Sequence, residues 1–249
     1  MFDYFFWNVN DIPPGHTWKM YGIEHITWLV IIGVVMFYFC KLFRKSDLKK
    51  QNKILKGFAI LIVVQEILKD ILHWYAGSIT LEHLPFHLCG VSIFFVVGYA
   101  IKSNKLNEQY LYALCLPGAL LALLFPNWTE YPIMHFSCMN SFTIHAELVI
   151  FVMMLLTSRR LHPCFKDLKY TGIFILIYSI PIYFINKAWD TNFMFINTPS
   201  EGSPLVIIYN IFGRFYIPAF YALAFVGWIL MYLPWEIRKR KHHESICIN

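Results

Sequence analysis

"EHITWLVIIGVVMFYFCKLFRKSDLKK", Glu24–Lys50, decides the fold class. Its centre, Ile26 to Cys40, contains no Asp, Glu, Lys or Arg, whereas Lys41, Arg44, Lys45, Lys49 and Lys50 crowd its far end. A helix rising about 1.5 Å per residue needs about 20 mostly apolar residues to cross the hydrocarbon core of a bilayer. Basic residues collect on the cytoplasmic side of such helices. The stretch therefore reads as a transmembrane helix over 24–43 that enters from outside and ends inside.

The rest of the chain repeats that pattern. Of 249 residues 58% are hydrophobic and 14% charged, against about 25% charged in an ordinary soluble domain. Apolar runs of spanning length fall near 24–43, 55–75, 84–101, 110–126, 136–157, 170–187 and 213–235. Arg44, Lys45, Lys49, Lys50 and Lys53 lie in the first connection, Lys102 and Lys105 in the third, and Arg159, Arg160, Lys166 and Lys169 in the fifth. The connections 76–83 and 127–135 have neither Lys nor Arg. One alternation fits all of these loops, and it predicts an all-α membrane protein: a seven-transmembrane-helix bundle with its N-terminus outside and its C-terminus cytoplasmic.

Three regions follow: an outer-interface segment over 1–23, the seven-helix domain over 24–235 and a basic cytoplasmic tail over 236–249. The first lacks a basic n-region and is interrupted by Asp3 and Asp11, so it reads as retained rather than as a signal peptide. Its Phe, Tyr and Trp residues suit the membrane–water boundary. The net charge of +6 reports topology and contact with anionic lipid; nucleic acid is not an expected partner. Six cysteines without a C-x-x-C pair give no disulfide framework, although Cys89 and Cys138 share the outer half and are able to bridge the third and fifth spans if their geometry allows.

Polar side chains inside lipid are expensive and usually face a cavity or a partner. Glu66, Lys69, Asp70 and His73 recur at three- and four-residue spacing in the second span, so they form one inward face. The first three either neutralise one another or take a direct part in function. Glu24 and His25 open the first span, His83, His87 and Cys89 the third, and His135, Asn140, Thr143, His145 and Glu147 line the fifth. His73 and His83 lie near the water interface, where a solvated histidine is the ordinary reading. Arg214, at the outer start of the seventh span, either holds a lipid phosphate or snorkels to the interface. Cys138 reads as a small buried hydrophobe.

Cys89 stands apart. A thiol becomes a nucleophile when histidine or a positive potential favours its thiolate, and Cys89 falls within the first two turns of a helix entered near Leu84, where the helix dipole and free N–H groups act. His145, two to three turns into the fifth span, reaches comparable depth. His87, two residues before Cys89, projects about 200° around the helix at about 100° per residue, and so is placed to orient another helix or a head group.

The order "EH" at 24–25, "LPFHLCG" at 84–90, "FPNWTEYP" at 125–132, "HFSCMNSFTIHAELVI" at 135–150 and "NFMFI" at 192–196 resembles the bacterial YwaF-like family of integral membrane proteins. That family usually reads L-P-L-H-L-C at the third helix, with a histidine in the fifth and an N-Y-M-like element before the seventh. It is similar to the eukaryotic transmembrane protein 164, an acyltransferase that moves acyl chains between phospholipids, and more distantly to the androgen-induced membrane hydrolases. The resemblance implies Cys89 as nucleophile and His145 as base, with His87, His25 and Asn192 at matching positions. Two stretches depart from the pattern: Ala146 follows the fifth-span histidine where glycine is common, and 200–220 matches loosely.

The expectation is thus a bacterial plasma-membrane, multi-pass lipid acyltransferase or acyl-ester hydrolase, working through a cysteine thioester on phospholipid or lysophospholipid without a cofactor. Glu66, Lys69, Asp70, Asn140, Asn192 and Arg214 are its supporting or substrate-binding residues. Two rivals stay open. One is a metal-dependent lipid hydrolase using His83 and His87 with Asp70, His135 or Cys89, disfavoured by Pro85 between the two histidines. The other is a transporter or receptor built on the second-span charges.

Overall fold

A computed structural model describes residues 4–8, 11–13, 15–200 and 202–242. Asp3, Cys247 and 243–249 of the expected tail lie outside the described residues. Among the described residues the chain is helical, with no strand. The long elements are α1 (Ile23–Lys45), α2 (Leu48–Tyr75), α3 (Leu88–Ile101), α4 (Lys105–Tyr110), α5 (Leu116–Leu124), α6 (Phe136–Thr157), α7 (Leu168–Trp189), α8 (Leu205–Phe212) and α9 (Tyr216–His242).

Among the described residues five helical segments are long and apolar enough to cross a membrane: Ile23–Lys45, Leu81–Ile101, Phe136–Thr157, Phe165–Trp189 and Leu205–Arg238. The remaining two expected spans form long helices of lower hydropathy, α2 because it carries Glu66, Lys69 and Asp70, and α4–α5 because it opens on "KLNEQ". Lipid-facing surface is plain on α1, where Val30, Ile31, Val34, Phe37 and Tyr38 are exposed, and on α7, where Ile173, Leu176, Ile177 and Ile180 are.

The core forms around α6. A helix apolar on every side must be buried on every side, and α6 meets α1, α2, α3 and α5 at once. Phe142, Leu148, Phe151, Met154 and Leu155 are fully enclosed, packed with Phe43, Leu55, Ile62 and Leu111 from its neighbours. A smaller cluster joins Ile175 and Ile182 of α7 to Phe193, Met194 and Ile196.

Several expected boundaries move, each for a local reason. The helix of the third expected span begins at Leu88 rather than 84, because the 3-10 turn over Leu81–His83 is followed by a turn at Pro85 and Phe86, and His87 is still extended. The fourth begins at Lys105 and passes through a π turn over Leu111–Cys115. Pro117 has no N–H to offer the carbonyl four residues earlier, and that carbonyl, of Ala113, instead accepts from Trp228 Nε1 at 2.7 Å. The seventh is preceded by α8 and broken at Gly213, φ 50°, and α9 carries the helix through 236–242, where a tail was expected. The segment before α1 does more than lie at an interface: Phe136 N–H donates to Phe5 O at 3.2 Å and Trp18 is buried against Phe142 and His25.

Candidate functional site

At the end of the bundle where Trp7 and Asn8, the 77–83 and 127–135 connections, the end of α2 and the start of α6 meet there is a cavity of about 480 Å³. Its lining includes Lys69, His73, Ser78, Glu82, His83, Trp128, Tyr131, His135, Ser137, Asn140 and Ser141. Lys69 and His73 of the α2 stripe thus line the cavity, but the charges of the stripe pair with one another. Lys69 Nζ contacts Glu66 Oε1 at 2.5 Å and Asp70 Oδ1 at 3.4 Å, and Gln65 ties α2 to α6 through Thr143 Oγ1 at 2.6 Å. His73, expected to be solvated, is buried.

Hydrogen bonds decide what each histidine can do, because a backbone N–H can only donate and a carbonyl can only accept. His25 accepts from Tyr21 N–H at Nδ1 (3.0 Å) and donates from Nε2 to Leu123 O (2.8 Å), tying the start of α1 to the end of α5. His87 accepts from Met194 N–H (3.2 Å) and faces Glu82 Oε2 (3.3 Å). His135 accepts from Ser137 N–H (3.1 Å) and donates to Trp7 O (2.9 Å). His83 accepts from Thr80 N–H (3.0 Å). In all four the lone pair is already spent on the backbone. His145 is the reverse: Nδ1 lies 2.6 Å from Ser141 O, so it carries the hydrogen and leaves the Nε2 lone pair available. Trp128 stacks on its ring at 5.3 Å, so His145 backs directly onto the cavity wall.

Cys89 occupies the first turn of α3. The N-cap residue His87 makes no side-chain cap bond, so the amides of Leu88, Cys89 and Gly90 are left as unpaired donors of the helix start. A Cβ on Gly90 would lie 2.8 Å from Pro85 Cα, so only glycine lets the approaching chain fold this close over the turn. The thiol is free and partly exposed, with Cys115 and Tyr178 beside it. No hydrogen bond joins Cys89 to His145, and Cys89 does not line the cavity. Cys138 is buried and free, so no bridge links the third and fifth spans.

Asn192 belongs to the same end of the molecule. Its N–H donates to Glu82 Oε1 at 2.7 Å, and its side chain holds Thr198 at 2.8 Å. Together with His87 this fastens a turn in which Met194 (φ 59°) and Phe195 (φ 54°) are left-handed, a conformation that persists only when the surroundings over-determine it. His87 thus ties the start of α3 to this turn through the Met194 N–H. Arg214 is exposed and stacks over Phe215 at 4.9 Å, away from the cavity.

A family model, the TMEM164 family, matches residues 20–232, nearly the whole length. The chain belongs to the TMEM164 family. No curated protein and no solved structure matches it. Membership of this family, with the apolar helices described above, makes it a multi-pass membrane protein. The TMEM164-family match spans every element that builds the cavity wall from α2 to α6, and it also contains Cys89 and His145. His87 and His83 each accept a backbone N–H bond at Nδ1, and among the described residues no three His, Cys, Asp or Glu side chains are grouped to hold an ion. Ser78, Trp128 and Ser137 carried no signal in the sequence, being ordinary residue types whose meeting depends on α2, α6 and two connections.

Proposed function

We propose that the protein is a lipid acyltransferase or acyl-ester hydrolase of the bacterial plasma membrane, in which seven helices cross the bilayer with the N-terminus outside and Cys89 forms a thioester. The observation that carries this reading is a free, partly exposed thiol on an uncapped helix start. The partial positive charge there favours thiolate. The adjoining amides are the donors an oxyanion requires.

In the mechanism, the Cys89 proton passes to Nε2 of His145, and Sγ attacks the ester carbonyl of a phospholipid. The tetrahedral oxygen accepts from α3 amides, the C–O bond breaks, and His145 returns the proton to the leaving lysophospholipid. A second lysophospholipid hydroxyl, or water, then attacks the thioester, with His145 again taking the proton. Substrate binding must bring Cys89 and His145 within reach. Catalytic hydrogen bonds commonly tighten only in the substrate complex. Asn140 and the Lys69 cluster line the approach on the His145 side; His25 and His87 hold the scaffold.

The test uses purified protein with phospholipid carrying a labelled acyl chain, trapped rapidly and mapped by mass spectrometry. Label on Cys89 in the parent, absent in Cys89→Ser and reduced at least a hundredfold in His145→Ala, is the expected result. Release by lysophospholipid or by water separates transferase from hydrolase. No label from phosphatidylcholine, phosphatidylethanolamine or phosphatidylglycerol, on folded protein whose Cys89 still reacts with a maleimide, overturns the reading.

A further inference from the structure

The cavity holds a hydrogen-bonded serine–histidine pair, independent of Cys89. Ser137 Oγ lies 3.3 Å from His73 Nε2, and His73 Nδ1 lies 2.9 Å from Ser78 Oγ. The Ser78 hydroxyl also has His73 O at 3.4 Å. With that hydroxyl donating to the carbonyl, His73 Nδ1 carries the hydrogen toward Ser78 and Nε2 presents a lone pair to the Ser137 hydroxyl. His83, also on the wall, faces the Thr80 hydroxyl with Nδ1 at 3.1 Å, but that nitrogen already accepts from Thr80 N–H.

Three further features belong to the same cavity lining. His73 and Ser137 are both more than nine-tenths buried in protein yet line the cavity. The indole Nε1–H of Trp128, also on the wall and 7% exposed, is buried with no hydrogen-bond partner. A buried donor without a partner is costly in a protein that has no use for it. The Tyr131 hydroxyl lies beside Ser137 as well. A base held in one tautomer, a hydroxyl in its reach and a donor aimed at no protein group are the three parts of acyl transfer to serine.

We propose that Ser137, His73 and Ser78 form an acyl-ester hydrolysing site of their own, taking carboxylic esters presented at the membrane–water boundary. Ser137 Oγ bonds to the ester carbonyl carbon while its proton moves to His73 Nε2, and Trp128 Nε1–H donates to the oxyanion. The ester C–O bond breaks, and His73 gives the proton to the leaving alcohol. Water then attacks the acyl-serine, its proton passes to His73, and the Ser137 oxygen leaves and recovers that proton. Ser78 is a positioning residue that holds the His73 tautomer.

The experiment treats the full chain in lipid nanodiscs with a fluorophosphonate and maps the modified peptide, with hydrolysis of p-nitrophenyl butyrate measured in parallel. Phosphonylation at Ser137 is expected, with loss in Ser137→Ala and at least a tenfold drop in rate in both His73→Gln and Ser78→Ala. Trp128→Phe keeps the ring stack on His145 but lowers ester hydrolysis at least tenfold. Ser78→Ala removes one exchangeable hydroxyl, so it remains informative if His73→Gln does not fold. Absence of label at Ser137 in folded protein, or label unaffected by both His73→Gln and Ser78→Ala, overturns the proposal. The readout is at Ser137 and uses a phosphonate or a soluble ester, so it succeeds or fails separately from thioester formation on Cys89.

Discussion

A histidine with one nitrogen donating and the other accepting from the backbone is a structural tie, and its protonation breaks the tie. His135 is the clearest case, since Nδ1 must stay unprotonated to accept from Ser137 N–H. Burial holds its pKa below the ordinary histidine value, opposed in part by the bond to Trp7 O. In the unfolded chain it takes up a proton near pH 6.5, so below that value the unfolded state binds more protons than the folded one. Its contribution to stability is therefore complete above about pH 6.5 and is lost as pH falls toward the lower folded value. Thermal midpoints between about pH 7 and 5 are expected to fall less steeply in His135→Asn, which keeps a neutral N-cap, than in the parent. His25→Ala deletes two buried bonds and leaves Leu123 O unpaired, an expected loss of about 1–3 kcal/mol in a denaturant titration, with no effect on Cys89 thiol reactivity. Residue types announced that His25, His87, Cys89, His135 and His145 matter. They did not announce which were ties and which were bases, because that depends on carbonyls and amides contributed by elements far away in sequence.

Helix identity was legible and helix boundaries were less so, and the errors fall where proline or glycine acts on a neighbour rather than on its own residue. Pro85 delays the start of α3 to Leu88 and so moves Cys89 into the first turn, which strengthens its placement at the uncapped end. That geometry rests on Gly90, whose absent Cβ would meet Pro85 Cα at 2.8 Å and Pro85 C at 2.9 Å. The opposing atoms are backbone and cannot rotate away, so Gly90→Ala must displace either the turn or the chain crossing it. The expected cost is about 1–3 kcal/mol, read as a lower thermal midpoint, together with a changed rate of Cys89 alkylation. An unchanged rate would mean that the thiol's surroundings do not depend on this crossing. The π turn before Pro117 was invisible for a related reason: its acceptor, Ala113 O, is satisfied by Trp228 from more than a hundred residues away. Trp228→Phe therefore exposes a carbonyl inside the bundle and is expected to destabilise by about 1–3 kcal/mol.

At the scale of the whole molecule the alternation of basic loops predicts seven crossings, whereas five helical segments among the described residues are long and apolar enough to cross. The two helices of lower hydropathy, α2 and α4–α5, are the ones that decide it. Hydropathy alone argues against α2, yet its Lys69 is paired with both Glu66 and Asp70, which reduces the cost of carrying charge into lipid, and Leu55, Phe58 and Ile62 bury its other face in the core. If only the five strongly apolar segments cross, the 76–83 connection lies on the same side as the loop after α1, and the 102–104 connection on the same side as 127–135. Seven crossings reverse both assignments. Ile79 and Ser103 are exposed, so Ile79→Cys and Ser103→Cys, treated in intact cells with a membrane-impermeant maleimide and mapped by peptide mass spectrometry, separate the two. Seven crossings with the N-terminus outside require label at 79 and protection at 103. Label at 103 with protection at 79 would leave α2 and α4–α5 as non-crossing helices and put 76–83 and 127–135 on opposite faces of the membrane, which is incompatible with the single cavity that both connections line and would overturn both proposed acyl sites.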